Sequence, residues 1–238
     1  MTRAHAHTQP FVDWYLSQKQ ILTEFKPKTA DAESLHRLRV ALKKIRAWDQ
    51  FICHTTHNKT GIVSTFSQIK VIFKASGRVR DLLVVLDLLQ RYETTNELDY
   101  PRFRSYLGKK IQQNSEKFTS EYSKKFCKKL DELEFCIFDN IRLAADEFTE
   151  EKLSEFFRAS LQKLYTQSRK VKKTIDLHEF RKHFKTQLYI LEIIRTRYPD
   201  FHTQLSETTF ETQANEIGLW YDKEMLLQLL ERYFKKYP

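Results

Sequence analysis

The stretch Leu35-His36-Arg37-Leu38-Arg39-Val40-Ala41-Leu42-Lys43-Lys44-Ile45-Arg46-Ala47 decides the reading of this chain. On a helix at about 100° per residue, Leu35, Leu38, Leu42 and Ile45 form an apolar face, and His36, Arg39, Lys43 and Arg46 fall within an arc of roughly 80° beside it. The spacing predicts an amphipathic helix whose cations border the buried face. A solvated helix normally turns its charges away from the core, because desolvating unpaired cations costs on the order of several kcal/mol for each ion. Cations placed here call for an anion.

The pattern returns as Leu177-His178-Glu179-Phe180-Arg181-Lys182-His183-Phe184-Lys185, where His178, Arg181 and Lys185 repeat the offsets of His36, Arg39 and Lys43, displaced by 142 residues. A second pair of segments, Gly77-Arg78-Val79-Arg80-Asp81 and Gly218-Leu219-Trp220-Tyr221-Asp222, is displaced by 141. Two segments recurring in the same order at nearly the same offset predict two related halves.

These residues carry a resemblance. His-x-x-Arg-Val-x-x-Lys-Lys-x-Arg, then Gly-x-x-Arg-Asp, then a weaker copy of both, resembles the CHAD domain, the conserved histidine α-helical domain, over roughly Glu33 to Glu231. The resemblance implies an all-helical, two-lobed protein whose basic residues line a central groove that binds inorganic polyphosphate. Storage granules of that polymer are a partner compatible with it.

Composition points the same way on fold. Only 4 Gly and 5 Pro occur in 238 residues, too few for the turns of an antiparallel sheet, so an all-α bundle with an internal pseudo-twofold repeat is expected. Hydrophobic residues at 41% and aromatics at 13% supply a packed core and exclude a disordered chain. The chain reads as a single domain, 1–238, with a first lobe of about 1–138 and a second of about 147–238. The net charge of +10 favours a polyanionic partner without choosing among polyphosphate, nucleic acid and an anionic membrane. The basic residues of the stripe alternate with few aromatics that could stack bases, so nucleic acid is the weaker alternative and a phosphate-anhydride hydrolase weaker still.

Helices are expected over Phe11–Phe25, from Asp31 or Ser34 to about His54, Ile62–Tyr92, Arg102–Phe138 as one helix or a pair, Phe148–Lys173 and Asp176–Tyr198, with Thr203–Gly218 and Tyr221–Tyr237 as two further elements. Polar stretches 55–61 and 93–101 read as connections, and 139–146 as the junction between lobes.

The expected phosphate contacts are His36, Arg39, Lys43, Lys44, Arg46, Lys74, Arg78 and Arg80 in the first half and His178, Arg181, Lys182 and Lys185 in the second. Arg suits forked contacts with phosphate, and Lys suits point-charge contacts. Asp81 and Asp222 are expected to fix a basic side chain, and Gly77 and Gly218 to permit close helix crossing. Leu188 stands where Arg46 would recur, Thr186 for Lys44 and Tyr221 for Arg80, so stronger contacts are expected in the first half.

No phosphate-binding Gly-x-x-x-x-Gly-Lys loop and no nucleophile-base pair stands out, and binding without catalysis is expected. Cys53, Cys127 and Cys136 lack the spacing of a zinc site. His5/His7 and His54/His57 read as solvated side chains at a terminus and a turn, so neither metal nor cofactor is expected. The opening Met1–His7 has no signal-peptide run and no segment approaches a membrane span, which makes the cytoplasm the expected location.

Overall fold

Eight α-helices appear in the computed structural model, which describes residues 3–55, 63–122, 124–143, 148–169, 174–201 and 207–237: α1 (Arg3–Glu24), α2 (Ala32–Thr55), α3 (Val63–Asn96), α4 (Pro101–Glu121), α5 (Lys124–Leu143), α6 (Glu150–Ser168), α7 (Thr174–Arg197) and α8 (Glu207–Lys236). A 3-10 turn at Pro27–Thr29 joins the first two, and no strand occurs among the described residues.

The start of α2 is fixed by a reciprocal cap. The Ser34 N–H donates to Asp31 Oδ1 at 2.7 Å and the Asp31 N–H to Ser34 Oγ at 3.0 Å, satisfying two amides that a helix end leaves open. Helix α3 stops where Glu97 takes the left-handed conformation (φ 53°) and the Leu98 N–H bonds the Glu93 carbonyl at 3.0 Å. Glu93 is buried nearby. It accepts Arg104 Nη1 at 2.9 Å and the Tyr100 N–H at 2.6 Å, which carries α3 four residues beyond the expected Tyr92 and folds α4 back on it.

Other boundaries also differ from the sequence reading. Helix α1 begins at Arg3, eight residues before Phe11, so His5 and His7 lie on a helix and not in an irregular terminus; Thr8 in this added stretch is buried. Of the two forms expected after Arg102 the structure has the pair, broken after Glu121, and its second helix runs on to Leu143, so 139–143 of the expected junction are helical. Helix α8 is continuous, and Gly218 lies inside it. A glycine within a helix costs about 1 kcal/mol relative to alanine, which is why a boundary is expected there; the helix survives because that glycine carries a tertiary contact, described below. Residues 56–61 of the expected turn, 144–146 of the expected junction and the basic run 170–173 lie outside the described residues.

The four residues of the expected apolar face of α2 are buried: Leu35, Leu38, Leu42 and Ile45 are at most 1% exposed. Around them sits an aromatic centre in which Phe51 meets Phe11, Trp48, Phe148 and Phe156 at ring distances of 5.6–6.2 Å. Helix α7 closes the other side with Ile190, Leu191, Ile193 and Ile194. Glu192, on the same helix, accepts Trp14 Nε1 of α1 at 3.2 Å and Lys44 Nζ of α2 at 2.5 Å, tying three helices through one carboxylate.

The packing order places the site. Helix α2 packs on α3, α3 on α8, α8 on α7, and α7 back on α2. These four form a ring, with α1, α5 and α6 against α2 or α7 and α4 against α3. No helix of the described residues is long and apolar enough to cross a membrane.

Because Phe51 is fully buried among four aromatic rings, Phe51→Ala should lower the stability in urea unfolding by about 3–5 kcal/mol. A loss below about 1 kcal/mol would show that this cluster does not form the core.

Candidate anion-binding site

Arg39 on α2 reaches across to α3 and is held there by the backbone. Its Nη1 donates to the Phe73 carbonyl at 2.7 Å and lies 3.4 Å from Ser76 Oγ, and its guanidinium sits 4.3 Å over the Phe73 ring. A Cβ on Gly77 would stand 2.6 Å from that Nη1. Arg181 on α7 makes the same kind of contact with α8: its Nε donates to the Ala214 carbonyl at 2.6 Å, and a Cβ on Gly218 would lie 2.7 Å from its Nη2.

In both places the glycine is four residues after the carbonyl. A side chain there would cover the carbonyl's open flank, so glycine lets the guanidinium reach a backbone oxygen already inside a helix. This refines the expected role of Gly77 and Gly218: what they admit at close range is an arginine head, not another backbone. Either anchor occupies one edge of its arginine, leaving most of the five N–H donors of each without a hydrogen bond among the described residues.

Arg80 on α3 supplies the third fixed cation. Nη1 and Nη2 donate to the two carboxylate oxygens of Asp222 on α8 at 3.1 and 3.3 Å, and Nη1 also lies 3.3 Å from Asp81. Burial alone would lower the Arg80 pKa, and Asp222 and Asp81 more than offset it. The two carboxylates therefore share one arginine.

Lys43 sits among these groups. Its pKa is pushed down to about 8, first by burial and then by Arg39, Arg181, Arg80 and Lys185. Arg181 and Lys185 are also lowered, again by burial first. Among the described residues neither Lys43 nor Lys185 has an ion pair; Glu211 favours the charged form of Lys185 at longer range. Cations from α2, α3 and α7 thus outnumber the acids among them.

The histidines lie at the edges. His36 is exposed; the partial burial it does suffer outweighs the opposing Glu33 and, with Lys43, Arg80 and Arg39, lowers its pKa. His178 stacks on Tyr221, with ring centroids 4.2 Å apart and planes at 22°, and its Nδ1 is buried without a hydrogen-bond partner among the described residues. Burial first, then Lys182, Arg181 and Lys43, lowers its pKa against the pull of Glu179.

The remaining expected contacts separate. Lys44 is held by Glu192, since adjacent helical residues point about 100° apart and its neighbour Lys43 takes the position facing the other cations. It belongs to the strut between α2 and α7. Lys182 is exposed and paired with Glu179 at 2.6 Å. Lys74 and Arg78 are exposed on α3, and Arg46 is exposed one turn beyond Lys43. The Phe73 and Ala214 carbonyls, Ser76, Glu192 and the stacking role of Tyr221 escaped the sequence reading. A carbonyl has no side-chain signature; a glycine four residues later is the one trace it leaves.

Fold and site together define an all-helical protein that gathers cations from α2, α3 and α7 and fixes two of its arginines on backbone carbonyls. The chain belongs to the CHAD domain family, whose model matches residues 18–231. No curated protein and no solved structure matches the chain.

The Lys43 shift has a definite sign. An unfolded lysine titrates near 10.5 and this one near 8, so the folded state releases its proton first and stability rises between those values. Between pH 8 and 10.5 the wild type should gain roughly 3 kcal/mol relative to Lys43→Met in chemical denaturation. A constant difference between the two proteins across that window would show that Lys43 is solvated.

Proposed function

We propose that this protein binds inorganic polyphosphate, or a similar phosphate polymer, non-covalently in a basic groove at the centre of the helix ring. One observation carries the reading: Lys43 is desolvated among Arg39, Arg80, Arg181 and Lys185 with no ion pair of its own among the described residues. Membership of the CHAD family is consistent with it.

A phosphate chain meets the electrostatic demand of this cluster directly. Its closely spaced negative charges would lie against Lys43 and Lys185 and against the unoccupied donors of Arg39 and Arg181, which are already oriented and lose little freedom on binding. Arg80, spent on Asp222, contributes field more than hydrogen bonds. The histidines, with lowered pKa values, serve as neutral donors at the groove ends near pH 7. The similar anchoring of Arg39 and Arg181 supports two related halves feeding one groove. Binding is the whole activity proposed, and granules of the polymer are a partner that fits it.

Long-chain polyphosphate should bind the wild type with an affinity that falls steeply as salt rises, because each neutralised phosphate releases counterions. Arg39→Glu combined with Lys43→Glu should abolish binding while circular dichroism shows the helix content retained. Undiminished affinity in the folded double variant would remove this cluster as the site. Equal or stronger binding of single- or double-stranded nucleic acid in competition would mean that the anion is a nucleic acid, and phosphate release with Mg²⁺ or Mn²⁺ would contradict binding without catalysis.

A further inference from the structure

Helix α8 has two apolar faces. With Met225, Leu226, Leu229 and Tyr233 it packs on the cluster around Val85 and Phe103 of α3 and α4. A second set, Leu219, Trp220, Leu227 and Phe234, is exposed at 61, 39, 57 and 51%. Among the described residues no other helix carries more than two large exposed apolar side chains. Single ones are ordinary on a protein surface, but a row of them along one helix marks an interaction face.

The row is regularly spaced. Trp220, Leu227 and Phe234 recur every seven residues, and because a helix drifts only about 20° per heptad the three lie within an arc of about 40°. That is the seam of a helix that pairs with another helix, and it runs for about 21 Å.

The charges beside the seam say which helix it takes. Lys223 and Glu231 stand four residues before and four after Leu227, both exposed and neither in an ion pair among the described residues. About 12 Å of helix separates them, too far for them to satisfy each other. In an antiparallel pair of α8 helices with a twofold axis at Leu227, residues equally far from that leucine stand level across the seam. Leucine meets leucine, Trp220 meets Phe234 of the second copy, and Lys223 meets Glu231 of the second copy, the last two contacts each made twice. A parallel pair would set lysine against lysine and glutamate against glutamate. The stripe is complementary to itself in one direction only.

We infer that α8 is a self-association face, through which two copies of this chain pair antiparallel about Leu227. Ala214, Gly218 and Asp222, the residues of α8 that meet Arg181 and Arg80, lie more than about 100° away around the helix, so the pairing leaves the cation cluster intact.

Sedimentation velocity of the full chain, from micromolar to sub-millimolar concentration, should show the 28.7 kDa monomer giving way to a dimer of twice that mass. Leu227→Lys should weaken the dimer about a hundredfold, since two buried leucines are lost and each is worth about tenfold. Circular dichroism should show its helix content unchanged, because position 227 is exposed in the single chain. Lys223→Glu and Glu231→Lys should each weaken the dimer by opposing like charges, and the two combined should restore it. A chain that stays monomeric throughout, a dimer indifferent to Leu227→Lys, or a doubly reversed variant no more associated than the single ones would overturn the inference. A monomeric chain that cosediments with phosphatidylglycerol vesicles and loses them in Leu227→Lys would overturn it in favour of a lipid surface.

Discussion

Like charges held together out of water are the constraint on which this structure depends. Lys43 is forced towards neutrality by burial and by four neighbouring cations, at the place where α2, α3 and α7 meet. Nothing in the stability of a helical bundle requires that arrangement, since apolar residues of similar size would pack the same ring without the repulsion. The free energy that holds the cations in place comes from the aromatic and aliphatic core around Trp48 and Phe51, which makes α2 and α7 rigid enough to oppose two basic stripes.

Three devices hold the charges in position, and each acts across a helix pair of the ring. Arg39 is tied to α3 through the Phe73 carbonyl, Arg181 to α8 through the Ala214 carbonyl, and Arg80 to α8 through the carboxylate of Asp222. Glu192 adds a brace between α1, α2 and α7 at a distance from the cluster. A backbone carbonyl orients a guanidinium while leaving its charge in place, whereas a carboxylate neutralises it. The structure uses carbonyls for the two arginines whose charge remains available and a carboxylate for the third.

Much of this was legible in the sequence because helical periodicity is a strong signal. The four residues of the apolar face, Leu35, Leu38, Leu42 and Ile45, are all buried, and Arg39, Arg181 and Lys185 come close enough to Lys43 to depress its pKa. The carboxylates were legible too, although their sharing of Arg80 was not, since sequence order says nothing about which helix supplies a partner. Lys44 and Lys182 show how adjacency misleads: each follows a residue of the cation cluster in sequence, and about 100° of helix rotation turns it towards an acid elsewhere. Gly218 misled in another way. Read as a stop, it sits inside α8 because a tertiary contact from Arg181 outweighs its poor helix propensity.

The most direct test of the central claim is the pKa of Lys43 itself, followed by NMR on protein carrying ¹³C-labelled lysine, alone and saturated with long-chain polyphosphate. The account predicts a value near 8 in the unbound protein that climbs to the ordinary 10.5 or above when phosphates surround the ammonium. A lysine that titrates at the same pH with and without the bound polymer would show that the anion lies elsewhere, and that the converging stripes are not its site.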